Sequence, residues 1–304
     1  MIDLKKIISR NLRGKIMYSL SFLPDKIYLQ IFYLATIGKL INFKNPKGFN
    51  EKLQWLKVNN RKSEYTQLVD KLAVREHIAE VLGEEYLFPL LGAWKNFEDI
   101  DFETLPEQFV LKCNHDSGST KVISSKSNLT KEDFEMMKKS FSKRLKHDFF
   151  YAGREYPYKG ITPYIIAEKL MFDENAPESS LVDYKFFCFN GEPELLLIIS
   201  GRDKKKQGGY HEDFFDMDFN RVAVTNGFTS SNFTPEKPKN FEKMKEFAKL
   251  LTKDMQHVRL DFYEINGKIY FGEFTFFSSG GFLLFEPKEW EERLGNLIDT
   301  SNSQ

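Results

Sequence analysis

Two carboxylates near the end of the chain could hold a metal ion. Asp261 alternates with apolar residues in a predicted strand, and Glu273 lies in the strand after the turn-forming pair Asn266-Gly267. Pairing about this turn places residue 261 opposite roughly residue 272, which brings the two carboxylates close together. Because Mg²⁺ prefers hard oxygen ligands, such a pair is suited to it. The alternative is an exposed polar sheet face that carries an ordinary ion pair.

Basic side chains elsewhere could bind phosphates. Arg259 stands two residues before Asp261 on the same strand face and would place a fixed cation beside the metal. Lys112 ends another predicted strand, which runs into the Gly/Ser-rich loop 114–120. The backbone N–H groups of such a loop can cradle phosphates. The loop lacks the spacing and the Gly-Lys-Ser/Thr ending of a Walker A motif. Taken alone, it is better explained as a polar hairpin turn.

Two further motifs suggest nucleotide binding. Glu168 and Lys169 lie in an apolar predicted strand, whose backbone could meet the edge of an adenine ring while the carboxylate accepts from its exocyclic amine. Asp216-Met217-Asp218 is an Asp-x-Asp motif that could hold a metal ion and the diphosphate of a nucleotide sugar. The second motif would make the chain a glycosyltransferase. Asp-x-Asp is, however, common by chance, and here it lies in a predicted hairpin among phenylalanines.

The composition excludes several classes of protein. The chain has 304 residues, of which 41% are hydrophobic, so it can bury a large core and form two subdomains or one large α/β unit. Lys and Arg total 44, as do Asp and Glu, and zero net charge argues against nucleic-acid binding. The two cysteines, Cys113 and Cys188, are too few for a disulfide scaffold or a cysteine-based zinc site and indicate a reducing compartment.

The first 48 residues are strongly basic, with nine Lys and Arg against two Asp. Apolar residues recur among these charges near helical spacing. The apolar run 16–23 is not followed by the small-residue cleavage site of a signal peptide. The apolar run 27–37 is about half the ~20 residues that a spanning helix needs, so no transmembrane segment is predicted. One hypothesis is a basic amphipathic segment on an anionic membrane surface. The alternative is a solvated helix packed on the domain.

The remaining pattern mixes helices with antiparallel hairpins, which is typical of an α+β protein rather than a doubly wound parallel sheet. A helical pattern spans about 50–82 and is ended by Gly83. A hairpin is predicted around Asp218–Asn220, and a linker at 234–240. Further helices are predicted at 131–149 and 241–254, and strands at 108–113, from Val122, and at 164–171, 183–189, 194–199, 257–264 and 268–276.

The order of these motifs resembles the ATP-grasp superfamily and, within it, the TupA-like family, named for a teichuronopeptide biosynthesis protein. The stretches that carry the likeness extend from residue 49 to 282. They are FNEKLQWLKVNN (49–60), LVDKLAVREHI (68–78), QFVLKCNHDSGS (108–119), YKGITPYIIAEKLM (158–171), DYKFFCFNGEP (183–193) and VRLDFYEINGKIYFGEFTFFSSGGF (258–282).

This resemblance implies an α+β ATP-grasp fold, in which two lobes sandwich ATP and a helical region precedes them. The implied domains are a basic helical region (1–65), a helical entry (66–107), a lobe with the phosphate loop (108–182) and a lobe with the Mg²⁺ site (183–304). The implied activity is an ATP-dependent carboxylate–amine ligase with an acyl-phosphate intermediate, acting in bacterial capsule or cell-surface polysaccharide biosynthesis. Its partners would be a small molecule or saccharide bearing a carboxylate and an amine acceptor, without nucleic acid. We expect a cytoplasmic protein, with contact at the inner face of the membrane as a further hypothesis.

The resemblance also implies roles for individual residues. Thr275 stands where the superfamily usually has an asparagine metal ligand, which puts a second metal ion in doubt. Lys185 and Arg202 are alternatives for binding the substrate carboxylate, and a catalytic base at His115 is open, with His257 a weaker candidate. A catalytically silent binding protein is disfavoured because the charged residues that the superfamily uses, Lys71, Lys112, Arg259, Asp261 and Glu273, are all present. The implied ligands are Lys71, Lys112, His115, Ser117, Gly118 and Ser119 for the ATP phosphates, Glu168, Lys169 and Leu170 for adenine, Asp183 for ribose, Asp261, Glu273 and Thr275 for Mg²⁺, Arg259 for the acyl phosphate, and Gly280-Gly281 for a substrate loop.

Overall fold

Two antiparallel β-sheets face each other across a cleft in the computed structural model, which describes residues 17–174, 181–202 and 209–301. The first sheet uses residues 90–169 and the second uses residues 183–275. The finer domain boundaries at 65 and 107 stay predictions. Within these described ranges, no helix combines the length and the apolar character that crossing a bilayer requires.

The amino-terminal part of the described chain is helical. Its helices are α1 Asp25–Ile37, α2 Phe49–Asn59, α3 Glu64–Val69 and α4 Val74–Val81. The single helix predicted over 50–82 is therefore wrong. Apolar spacing continues across the breaks, but local hydrogen bonds override it: Asp70 Oδ1 accepts from the N–H groups of Leu72 and Ala73 and begins a new helix.

The first sheet has four strands in the order β1-β4-β2-β3: β1 Leu90–Trp94, β2 Phe109–Cys113, β3 Lys121–Ile123 and β4 Ile165–Lys169. Helix α5, Lys131–Arg144, begins at a capping box formed by Thr130 and Asp133. The buried residues of α5 pack with Phe109 and Leu111 of β2 in one apolar cluster. The predicted helix 131–149 ends earlier, and a short helix α6, Phe150–Gly153, follows.

The second sheet has five strands in the order β7-β6-β5-β8-β9: β5 Asp183–Phe189, β6 Glu192–Ser200, β7 His211–Phe215, β8 His257–Ile265 and β9 Lys268–Thr275. Every residue of β5 is buried, because β5 lies at the centre of the sheet and both faces are covered. Phe241 of helix α7, Phe241–Thr252, contacts Phe186 on one face. Phe49 of α2 contacts Phe187 on the other.

Helix α8, Glu289–Asn296, packs closely against the start of α2. A Cβ atom on Gly295 would lie 2.8 Å from the backbone nitrogen of Phe49 and would also clash with the carbonyl oxygen of Lys47. Only glycine permits this approach, since the obstacles are backbone atoms that cannot rotate away.

We therefore expect Gly295→Ala to lower the free energy of unfolding by about 1–3 kcal/mol through overpacking. Denaturant unfolding measures the change. Asn296→Ala, at the exposed neighbouring position, is the matched control and should leave stability nearly unchanged. Equal stability of both variants would contradict the close packing.

Candidate functional site

A cleft of about 450 Å³ lies between the two sheets and is rich in charged side chains. Both sheets contribute both signs of charge, and α4 contributes the basic residue Arg75. Twelve residues predicted from the sequence line this cleft: Lys71, Lys112, Ser117, Gly118, Glu168, Lys169, Leu170, Asp183, Lys185, Arg202, Asp261 and Glu273.

A β-bulge brings the two predicted metal-binding carboxylates face to face. Asp261 pairs directly with Glu273, and the register shifts between Asp261 and Phe262. Regular pairing would have placed residue 272 opposite Asp261 and turned Glu273 to the other sheet face. Gly272 allows the bulge, because a Cβ atom there would lie 2.8 Å from the carbonyl oxygen of Asp261. Asp261 and Glu273 are therefore close together, as predicted. The bulge, rather than the turn alone, sets the register that brings them together.

Arg259 lies beside both carboxylates. Its Nε donates to Asp261 Oδ1 at 2.6 Å, and its Nη2 donates to Asp261 Oδ2 at 2.8 Å and to Glu273 Oε1 at 3.4 Å. Thr275 Oγ1 accepts from Arg259 at 3.0 Å and donates to Glu273 at 3.1 Å. Burial alone would raise the pKa of Asp261, but Arg259 and Lys185 hold it below its ordinary value, so this carboxylate stays charged.

The two candidates for substrate binding differ in their surroundings. Lys185 is buried and contacts the carboxylates of both Asp183 and Asp261. Arg202 contacts Asp183 at 2.5 Å, yet its side chain is 46% exposed. Arg202 therefore has surface left for a ligand, whereas Lys185 is enclosed by its partners. Asp183, the predicted ribose ligand, lines the cleft but is already engaged by these two cations.

The Gly/Ser-rich loop after β2 is held by side chains on three sides. Asn114 Nδ2 donates to Asp70 Oδ1, and Lys71 Nζ donates to the carbonyl oxygen of Asp116 at 2.6 Å. Arg144 at the end of α5 contacts Asp116 Oδ2 at 2.5 Å and donates to the carbonyl oxygen of Gly118 at 2.8 Å. Gly118 has a φ of +78°, a conformation that favours glycine. Ser117, Gly118 and Thr120 of the loop held in this way line the cleft.

Two predicted members of this loop do not line the cleft. Ser119 Oγ accepts from the N–H of Cys113 at 2.9 Å. His115 is buried, and its ring nitrogens contact Asn114 Oδ1 and the carbonyl oxygen of Arg144. Both side chains thus shape the loop itself, and the geometry gives His115 no access to act as a base. His257 packs among phenylalanines, and burial lowers its pKa to about 3.

A cationic pair faces the second sheet: Lys112 lies on β2, and Lys71 lies in the turn just before α4. Lys112 Nζ contacts Glu168 Oε2 at 2.6 Å. Burial lowers the pKa of Lys71, the charge of Glu273 opposes this, and the nearby charge of Lys112 lowers it further. Arg75, which was not predicted from the sequence, also lines the cleft and contacts Glu168 at 3.7 Å. Its position one helical turn after Lys71, in the stretch LVDKLAVREHI, was a usable signal.

A loop with three consecutive positive φ angles follows β9. Ser279, Gly280 and Gly281 all adopt this left-handed conformation, which is uncommon for serine. Gln54 of α2 donates to the carbonyl oxygens of Gly280 and Gly281. Lys57 donates to the carbonyl oxygen of Gly280 at 2.8 Å. The helical region therefore holds the predicted substrate loop in place.

The acidic residues fit a Mg²⁺ ion that is shared with a nucleotide. Within residues 17–174, 181–202 and 209–301, no group of three or more His, Cys, Asp or Glu side chains is placed to hold a metal alone. Both carboxylates supply hard oxygens, but those of Asp261 already accept from Arg259, whereas Glu273 is 37% exposed at the cleft. Mg²⁺ is commonly held by one or two carboxylates together with substrate phosphates and water. The two carboxylates are therefore suited to hold Mg²⁺ together with the phosphates of a nucleotide.

The Asp-x-Asp motif forms a turn outside the residues that line the cleft. Asp216 Oδ1 accepts from the N–H groups of Asp218 and Asn220, and Asp216 Oδ2 accepts from Asn220 Nδ2. Phe215 and Arg221 form an isolated bridge where a full hairpin was predicted. The carboxylate of Asp216 is thus used locally to stabilise the turn.

Comparison with known proteins identifies the family. The family model described as TupA-like ATPgrasp matches residues 51–299, which is most of the chain. The chain belongs to the TupA-like ATP-grasp family. Its two sheets around a charged cleft are accordingly the α+β ATP-grasp fold that the sequence predicted. No curated protein matches the sequence significantly.

Solved structures of several ligases resemble this TupA-like protein at low identity. D-alanine–D-alanine ligase from Bacillus anthracis, complexed with ATP, is 16% identical, with 81% of this chain and 62% of that chain covered and a TM-score of 0.39. L-amino acid ligase from Bacillus licheniformis is 10% identical, with 86% and 57% covered and a TM-score of 0.47. This chain spans less than two thirds of the length of either structure.

The buried charges predict a difference between the two acidic variants. Asp261→Asn leaves two buried cations without their carboxylate and should lower the free energy of unfolding at neutral pH by about 3–5 kcal/mol. Glu273 is partly exposed, so Glu273→Gln, the matched control, should cost less than about 1 kcal/mol. Denaturant unfolding checks both.

The pH dependence adds a second test of Asp261. A carboxylate whose pKa is lowered on folding contributes stability above its unfolded pKa, about 3.9, and loses it as the pH falls through the folded value. The stabilities of the wild type and Asp261→Asn should therefore converge below about pH 4. A constant difference down to pH 2 would contradict the charged state assigned to Asp261.

Proposed function

We propose that this protein is an ATP- and Mg²⁺-dependent ligase that joins a carboxylate to an amine through an acyl phosphate. The observation that supports this proposal is the placement of Lys71, Lys112 and the Gly/Ser-rich loop in one cleft with Glu273, which accepts a hydrogen bond from Arg259 behind it. Such a site offers cations and backbone N–H groups without an enzyme nucleophile. Phosphoryl transfer needs positioning and charge neutralisation more than covalent groups, which matches this set of residues.

The residues account for both steps of the reaction. A substrate carboxylate oxygen attacks the γ-phosphorus of ATP, the bond to the β-γ bridging oxygen breaks, and ADP leaves. The amine then attacks the acyl carbon, phosphate departs with the former carboxylate oxygen, and the amine loses a proton to solvent. In this proposal Arg259, which is held by Asp261, stabilises the negative charge that develops during transfer. Lys71, Lys112 and the Gly/Ser-rich loop restrain the phosphates. A bound Mg²⁺ would supply neutralisation of phosphate charge.

The substrate proposal follows from the free surface of Arg202. Because Lys185 is enclosed by Asp183 and Asp261, Arg202 is the better candidate to bind the carboxylate to be activated. We propose a uronic acid or other sugar carboxylate, or an amino acid, with an amine acceptor. A role in capsule or cell-surface polysaccharide assembly and a cytoplasmic location are part of the same proposal.

Nucleotide binding is the first test. Mg-ATP at 100 times its Kd should stabilise the protein by about 2.7 kcal/mol, a rise of several degrees in the unfolding midpoint. Lys112→Ala should remove most of this shift. Lys138→Ala, which changes an exposed lysine on α5, is the matched control and should retain it. Stabilisation by nucleotide sugars with none by Mg-ATP would instead support the glycosyltransferase alternative.

Isotope transfer tests the acyl phosphate directly. Candidate carboxylates labelled with ¹⁸O, such as glucuronate and D-alanine, are incubated with Mg-ATP and an amine, and inorganic phosphate is examined by mass spectrometry. A ligase transfers one ¹⁸O atom to phosphate, whereas simple ATP hydrolysis transfers none. Glu273→Gln should lower turnover at least about 100-fold while leaving the fold stable, because a charge that acts in phosphoryl transfer is lost. Unchanged turnover in Glu273→Gln would overturn the metal assignment.

A further inference from the structure

Helix α1 is apolar on two opposite faces. Tyr28, Leu29 and Tyr33 form the inner face and are buried against the protein. Ile27, Ile31 and Leu34 follow i, i+4, i+7 spacing on the outer face, and each is about half exposed. A helix on a protein surface normally carries polar residues there, so the outer face is an unpartnered apolar stripe among the described residues.

The apolar stripe is extended at both of its ends. Phe22 is 77% exposed just before α1, and Leu40 is 62% exposed just after it. We call these five side chains, Phe22, Ile27, Ile31, Leu34 and Leu40, the α1 surface. A concentration of exposed apolar side chains usually marks a place of interaction with a partner or a membrane.

Positive charge surrounds the α1 surface. Lys26, Lys39, Lys44 and Lys47 are all exposed in this part of the chain. Three acids lie in this region. Asp25 is paired with Arg61 at 2.5 Å and Arg154 at 3.4 Å, Glu51 accepts from the backbone N–H groups of Asn42 and Lys47, and Glu291 accepts from Asn50, so each carboxylate already has a partner within the protein. The sequence of residues 1–16, which lie outside the described residues, adds five basic residues and one acidic residue.

We propose that the α1 surface binds the surface of an anionic lipid bilayer, with α1 lying parallel to it. Apolar side chains would enter the boundary between headgroups and acyl chains while the lysines contact anionic headgroups. A second copy of the same chain is a poorer occupant, since two surfaces with this excess of lysines would repel each other. The proposal gives the predicted membrane contact a defined set of residues.

Attachment through α1 would orient the whole molecule. Tyr28 Oη donates to the carbonyl oxygens of Tyr151 and Ala152, and the ring of Tyr33 contacts Phe282, which follows the Gly280-Gly281 loop. With the inward ion pairs of Asp25, these contacts fix α1 to the protein core. The cleft would therefore take a fixed position relative to the bilayer.

Vesicle co-sedimentation of the full chain tests the proposal. Vesicles of phosphatidylcholine mixed with phosphatidylglycerol are compared with vesicles of phosphatidylcholine alone. The protein should bind the anionic vesicles at least about tenfold more strongly, and added salt should weaken this binding. Ile31→Glu with Leu34→Glu should reduce binding to anionic vesicles at least about tenfold, because two apolar side chains are lost and two negative charges are added.

The matched control places the same two charges on other exposed apolar positions, as Met136→Glu with Leu250→Glu. This control should bind the anionic vesicles nearly as the wild type does, and the unfolding midpoint of each variant shows that it is folded. Failure of the wild type to bind anionic vesicles, or equal binding by both double variants, would overturn the proposal. A dimer in solution that Ile31→Glu with Leu34→Glu dissociates would assign the surface to a second copy and would also overturn it.

Discussion

One buried carboxylate with two cations constrains the arrangement of the second sheet. Asp261 on β8 contacts Arg259 on its own strand and Lys185 on β5. Removing these charges from water is costly unless each one finds its partner, so the registers of the neighbouring strands must match. Glu273 and Thr275 on β9 extend the same network through Arg259. The interaction that keeps Arg259 charged and fixed in position therefore also aligns three strands.

The two sides of the cleft differ in their electrostatic environment. On the second sheet Lys185 and Arg259 each contact a carboxylate, whereas on the other side the charge of Lys112, although paired with Glu168, disfavours the charge of the neighbouring Lys71 and lowers its pKa. An anion bound between the sheets would relieve that repulsion. Asn114 and Arg144 already hold the phosphate loop, so little ordering would be needed when the anion binds. The basic side of the cleft thus suits polyphosphate binding.

The helical region belongs to the same rigid structure as the cleft. Gln54 and Lys57 of α2 donate to the carbonyl oxygens of Gly280 and Gly281, in the loop that follows the β9 carboxylate. Burial lowers the pKa of Lys57 to about 8, a cost that its hydrogen bonds and its contact with the ring of Phe277 offset. Arg154 also joins α1 to this core through its contact with Asp25 at 3.4 Å.

The sequence by itself determined the α+β class, most strands of both sheets and the identity of the charged residues in the cleft, because alternation, Asn-Gly turns and charge are local properties. A helix opening at Asp70-Lys71 could be read from the sequence, but the contact of Asp70 with Asn114, distant in the chain, could not. Tertiary structure alone decided that Glu273 shares a face with Asp261, because this requires the bulge at Gly272. It also decided that His115 supports the loop rather than facing the cleft. Register, burial and partner choice arise from contacts between distant segments, which no local pattern encodes.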